Sequence, residues 1–151
     1  MRYKIKTFTV KLVLSDSEPQ STALGTKVGQ PADAVAIARA IYANLDADRE
    51  HLTVLLLDTK HVVTGFKTLF SGTINQAEIH VREVCKAALL MSAAALILVH
   101  NHPSGNPAPS AEDRAITARI KVACELLEIR LLDHLILGSD KNFSFADARE
   151  L

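Results

Sequence analysis

Along these 151 residues the spacing of apolar positions switches between periods of two and of about 3.6, and each switch marks an element. Residues 3–14 alternate: Lys4 and Lys6 face one way, Tyr3 and Ile5 the other, and past Thr7 the apolar phase moves to Phe8, Val10, Leu12 and Leu14. Alternation predicts a strand, and the one-residue phase change predicts a bulge within it. Residues 15–30, rich in Ser, Asp, Gly and Thr, form one long loop, either mobile or packed over a site. Pro31 opens a helix, because its missing N–H would be unpaired at a first position anyway. Val35, Ala38, Ile41, Tyr42 and Leu45 form the buried stripe of that helix, and Asp46-Ala-Asp-Arg closes it.

The strands His51–Leu57 and Val62–Phe70, joined by Asp58-Thr-Lys-His, make a hairpin. A helix over His80–Met91 points Val81, Val84, Ala88 and Met91 inward and feeds an apolar strand, 94–100. A helix over Ser110–Leu127 carries Ile116, Ile120, Ala123 and Leu127 on one face. Strand 131–137, a turn at Gly138-Ser-Asp-Lys and a short strand at Phe143–Phe145 complete the chain. With no internal repeat, low-complexity tract or linker in view, the expectation is a single α/β domain: a mixed sheet sandwiched by helices.

This connectivity has a consequence. A hairpin sets its two strands antiparallel, and the helix 80–91 is long enough for a crossover that returns strand 94–100 parallel to 62–70. The start of strand 51–57 and the end of strand 94–100 then share one rim of the sheet. Glu50 stands at the first and His100 at the second, and the helix opened by Ser110 begins there too.

At that rim the sequence reads His100-Asn-His-Pro-Ser-Gly-Asn-Pro-Ala-Pro-Ser-Ala-Glu-Asp113. A strand puts positions i and i+2 on one face, so His100 and His102 can converge on one ion. Asp113 can add a carboxylate, leaving a fourth position open as in a catalytic zinc site. Ser110-x-x-Asp113 is also close to a helix capping box, and the two roles are compatible, since a first-turn acid points back toward the loop. Glu50 is either a solvated acid at a strand start or the general base of such a site. Glu83 rivals it for that role, because its helix also starts near this rim, although a first-turn acid is commonly a dipole partner. His51, His61 and His80 have no spacing partners and read as surface residues. Asp133 and His134 are placed at the opposite rim, outside the site. His-Asn-His nucleases are excluded because their three residues are dispersed over a ββ-helix unit and these are consecutive, while zinc deaminases with Pro-Cys-x-x-Cys, His-Glu-x-x-His proteases and metallo-β-lactamases are each excluded by missing residues.

Composition changes this picture little. Lys plus Arg equals Asp plus Glu at 17 each, so no net field favours nucleic acid or an acidic membrane. Cys85 and Cys124 fall in helical patterns without metal spacing and read as buried reduced thiols, which suits a cytoplasmic protein. The N-terminus offers no signal-peptide core, and the longest apolar run, Ala87–Val99, is shorter than the roughly 20 residues a bilayer needs.

The spacing His100-x-His102, seven residues, Ser110, two residues, Asp113 resembles the JAMM motif of the JAB/MPN metalloprotease superfamily. Further segments are similar to its RadC-like branch: Glu50-His51 before Leu-Leu-Leu-Asp-Thr-Lys, Ser71-Gly-Thr, Arg82-Glu83-Val84, His100-Asn-His-Pro-Ser-Gly-Asn, Asp133-His134-Leu and Ser144-Phe145. The resemblance covers roughly residues 30–147 and implies a cytidine-deaminase-like JAB/MPN fold with that core, preceded by a strand and loop over 1–30. It implies one Zn2+ per chain on His100, His102 and Asp113, Glu50 as catalytic acid–base, and Ser110 stabilising a tetrahedral intermediate. The implied substrate is a peptide or protein, cleaved at an amide or isopeptide bond. The alternative is a DNA-repair-associated or mobile-element-associated adaptor with a structural or vestigial zinc. Two features depart from the family. Nothing before residue 30 supplies the helix-hairpin-helix region of longer members, which removes the obvious vehicle for DNA, and Val81 stands where the family usually has Pro.

Overall fold

Two of the described strands are buried at every position but one, a pattern that requires cover on both faces of the sheet. They are β1 (Glu50–Leu57) and β3 (Ala95–Asn101), at the middle of a five-stranded sheet. The computed structural model describes residues 23–72 and 80–151. Within those residues the remaining elements are α1 (Pro31–Tyr42), β2 (Val63–Gly72), α2 (Val81–Leu90), α3 (Ala111–Leu126), β4 (Arg130–Leu137) and β5 (Asn142–Ser144). The sheet order is β2-β1-β3-β4-β5, with only the β3–β4 pair parallel. This is the mixed α/β fold expected, and the strand expected over 3–14 lies outside the described residues.

The sheet separates two apolar layers. On one face α1 packs Ala34, Ile37, Ala38 and Ile41 against Leu55, Leu57, Ile97, Val99, Leu135 and Leu137. On the other, α2 and α3 pack Val84, Ala88, Ile116, Ile120 and Cys124 against Val54, Leu56, Leu96 and Leu98. The stripes are rotated from those expected. In α1, Ala34 and Ile37 are buried and Val35 only partly so. In α3 the buried row is Ile116, Thr117, Ile120 and Cys124, while Leu127 remains 37% exposed. At about 100° per residue a spacing of four advances the row by about 40° each turn, so 116–120–124 winds around the helix away from the straight 116–120–123–127 line that was expected.

The start of β1 and the end of β3 share one rim, as expected. β1 pairs antiparallel with β3, Leu52 opposite His100, and β1 also pairs antiparallel with β2, Glu50 opposite Gly72. The described part of the 15–30 loop packs at the other rim. Ala23 and Val28 enter the α1-side core there, and Gly25 N–H donates to Val63 O at 2.9 Å. Cys85 and Cys124 are both buried and free, as read from the sequence; burial pushes the Cys124 thiol up to about 12. Among the described residues no helix is long and apolar enough to cross a membrane.

One side chain ties α1 to both central strands beside the rim. The Tyr42 hydroxyl lies 3.0 Å from His51 O and 2.8 Å from Val99 O, its single proton shared between the two carbonyls. Tyr42→Phe leaves both carbonyls short of a donor in a part-buried setting. The expected cost is about 1–2 kcal/mol of unfolding free energy, read by urea denaturation as a lower midpoint at unchanged slope.

Candidate metal centre

Three elements each deliver one donor to the rim. His100 is the penultimate residue of β3 and 6% exposed. His102 follows the strand but keeps its extended course, because its N–H donates to Leu137 O at 3.0 Å. Asp113 is the third residue of α3, aimed backwards by a full capping box. One ligand atom from each of His100, His102 and Asp113 lies within 4.8 Å of the other two, the one such group among the described residues.

The box does more than start the helix. Ser110 N–H and Ser110 Oγ each donate to Asp113 Oδ2 at 2.7 Å, and Asp113 N–H donates back to Ser110 Oγ at 3.0 Å. Oδ2 is thereby saturated from its own loop, and Oδ1 faces His100 Nε2 at 3.2 Å. The Ser110 proton is spent on Asp113 in this arrangement. Burial pushes the Asp113 carboxyl up, but hydrogen bonds with His100, His102 and Ser110 outweigh it and hold it well below the usual carboxylate range.

The outer nitrogens of both rings are occupied. His102 Nδ1 lies 2.8 Å from the Asn106 carbonyl, which can only accept, so that nitrogen carries the proton and a neutral ring leaves Nε2 bare. The loop that presents Asn106 depends on Gly105, at φ +77°, where a Cβ would collide with the Ser139 side chain. The two Nε2 atoms stand 2.9 Å apart. Hydrogen bonding to Asp113 raises His102 above the ordinary histidine value of 6.5 despite its partial burial.

Glu50 belongs to this rim as well. Alternation along β1 puts it on the face of Leu52, the partner of His100, and extending the register by two residues sets Glu50 opposite His102. Its carboxylate is among the charges that raise His102. The backbone on either side of Glu50 is clamped by Asn101, whose Oδ1 accepts from His51 N–H and whose Nδ2 donates to Arg49 O, both at 2.8 Å. Glu83 is engaged elsewhere: it pairs with Lys86 and, at 3.8 Å, with Arg82, and the Lys86 hydrogen bond lowers its pKa.

Two expectations are corrected. His51 is not a surface residue; it is 3% exposed on the α1 face, edge-on to Tyr42, with Nε2 2.8 Å from Asp46 O. His134 is not at the opposite rim. β4 runs parallel to β3 as expected, but the pairing slips by one residue between Leu96↔Leu131 and Ile97↔Asp133, which brings His134 opposite Leu98. That slip turns His134 onto the α3 face, where its Nε2 lies 2.8 Å from His100 Nδ1 and its Nδ1 lies 2.6 Å from Thr117 Oγ1. Burial, then the neighbouring His100, hold His134 well below 6.5. Sequence reasoning also missed Thr117 and Asn101. The available signal was a polar pair, Asp133-His134, inside an otherwise apolar central strand, where buried polar groups need partners.

Two imidazole nitrogens and a carboxylate oxygen turned toward one point, their other polar atoms already bonded, are a donor set suited to a divalent cation of the zinc type. The arrangement predicts about one such ion per chain, measured by elemental analysis, and its loss in His100→Ala and in Asp113→Ala. The raised His102 sets the pH sign. As pH falls through that raised value a proton competes for Nε2, so metal affinity declines on acidification, read as a falling ion content per chain.

Comparison with known proteins gives the same family as the spacing. A UPF0758 protein of Pasteurella multocida is 52% identical over 104 residues, 69% of this chain and 46% of the relative. One from Xanthomonas axonopodis pv. citri is 53% identical over 98 residues, 65% of this chain and 44% of the relative. One from Coxiella burnetii is 49% identical over 109 residues, 72% and 49%. The chain thus spans a little under half the length of these relatives. Residues 28–151, which include every group of the rim, match the RadC-like JAB domain, and the chain belongs to that family.

Proposed function

We propose that this chain is a zinc-dependent hydrolase that cleaves an amide bond, peptide or isopeptide, with Glu50 as general base. The observation that supports the proposal is the β1–β3 register, Leu52 opposite His100, which brings Glu50 to the same rim as His100 and His102 while Glu50 stays out of the His100, His102 and Asp113 cluster. A structural zinc site is closed by four protein ligands; a three-ligand set with an acid beside it leaves room for water.

When bound, zinc supplies the positive charge that acidifies a water and polarises a carbonyl. The remaining steps fall to the chain. Glu50 takes the proton from the attacking water and delivers it to the leaving amine. Asn101 fixes the backbone that carries Glu50, so the carboxylate moves by side-chain rotation alone. The Asn106 carbonyl holds the His102 ring, and Ser110 aims Asp113. For Ser110 to stabilise the developing oxyanion, its hydroxyl must turn from Asp113 Oδ2 to the substrate; one such donor contributes about 3 kcal/mol.

The test compares wild type with Glu50→Gln on a peptide and isopeptide library, with zinc content measured on the same samples. Glu50→Gln keeps zinc at about one per chain and loses cleavage by about 10²–10⁴-fold. Equal cleavage by the two proteins removes Glu50 as base. Full zinc with no cleavage of any substrate by wild type removes the hydrolase and favours the adaptor reading.

A further inference from the structure

His100 and Asp113, contributed by different elements, are joined behind the site by a circuit of short hydrogen bonds. Thr117 Oγ1 lies 2.5 Å from the main-chain oxygen of Asp113, one turn back in α3, and 2.6 Å from His134 Nδ1. His134 Nε2 in turn lies 2.8 Å from His100 Nδ1. The chemistry of the first link decides the proton positions at all the others.

A carbonyl oxygen only accepts, so the Thr117 proton sits on the bond to Asp113 O. Thr117 Oγ1 can then only accept from His134, which requires the proton of that ring on Nδ1. His134 is 1% exposed, stacked on Phe145 at 5.0 Å with planes 9° apart, and has no carboxylate on either nitrogen. A second proton would be a buried charge without compensation. His134 Nε2 is therefore bare and must accept from His100 Nδ1–H. His100 Nε2, 2.9 Å from His102 Nε2, is left with its lone pair facing the cation position.

Building on the metal-site reading, we infer that Thr117 and His134 are positioning residues: they fix His100 in the Nδ1–H form, so that Nε2 is available to a metal. Reversing the polarity at Thr117 would flip both rings and point an N–H at the ion. The circuit also couples the two ligand-bearing elements, since the Thr117 hydroxyl anchors to the backbone of Asp113 itself. Outer-shell partners that set a histidine's tautomer typically matter by about 10–100-fold in metal affinity.

The experiment combines two readouts on the full chain. Histidine ring 15N–1H spectra of metal-free wild type report the protonated nitrogen of His100 directly. Competition against a chromophoric chelator then gives zinc affinity for wild type, Thr117→Val, Thr117→Ser, His134→Leu and His134→Gln, with melting curves to confirm folding. The expected spectrum has His100 protonated on Nδ1 and bare at Nε2. The expected affinities are about 10–100-fold weaker in Thr117→Val and His134→Leu, and within about threefold of wild type in Thr117→Ser and His134→Gln, which restore an acceptor. The valine is nearly isosteric with threonine, so a packing role alone would leave it at wild-type affinity. Wild-type His100 protonated on Nε2, or folded Thr117→Val with unchanged affinity, overturns the inference. A wild type with the expected His100 form that binds no zinc leaves the circuit standing and removes the metal-site reading instead.

Discussion

His100 Nε2 and His102 Nε2 lie 2.9 Å apart, with Asp113 oxygens at 3.2 and 3.5 Å. Two imidazole lone pairs and an ionised carboxylate do not gather at such distances without a positive charge among them. A shared proton or a metal ion meets that demand, and a protein that places these groups together without either would bear their mutual repulsion in a site shielded from water. The surrounding structure consists largely of restraints on that cluster. Asn106 O holds one ring, His134 the other, and the Ser110 cap holds the carboxylate. Each restraint takes up an outer polar atom and leaves an inner one free.

Those restraints depend on register more than on any single contact. The β1–β3 pairing brings Glu50 to the rim that carries His100, and a shift of one residue would send its side chain to the α1 face. The one-residue slip between β3 and β4 does the corresponding work for His134. Gly105 lets the loop after His102 lie against the β4–β5 turn, with its carbonyl accepting from Ser139 N–H at 3.1 Å. In the absence of that close approach the Asn106 carbonyl would have no fixed position.

Much of this was legible in the chain. Periodicity marked each described helix and strand, most ends to within a residue or two, because α1 and α3 have clear starts and the central strands are mostly apolar; α1 stops at Tyr42, three residues short of the expected Leu45. One hairpin and one crossover were enough to put Glu50 and His100 on one rim of the sheet. Other features depend on tertiary detail that local pattern does not encode. His134 was assigned to the opposite rim as a residue opening its strand, whereas it lies midway along β4, and the β3–β4 slip that sets its face has no signature in either strand. His51 lacked a spacing partner because its partners are a main-chain oxygen and the Tyr42 ring. Asn101 looked like a spacer between two ligands, yet both ends of its amide continue the ladder that β1 and β3 begin. In each case a polar side chain inside apolar sequence was the trace, and the identity of its partner was not.

The central claim is that His100, His102 and Asp113 form an open three-ligand metal centre. X-ray absorption at the zinc edge, on the full chain loaded with one equivalent, measures it directly. The account predicts a first shell of two imidazole nitrogens and two oxygens at about 2.0–2.1 Å, one oxygen from Asp113 and one from solvent. A sulfur scatterer near about 2.3 Å, or three or more imidazoles, would contradict it by placing the metal on other residues.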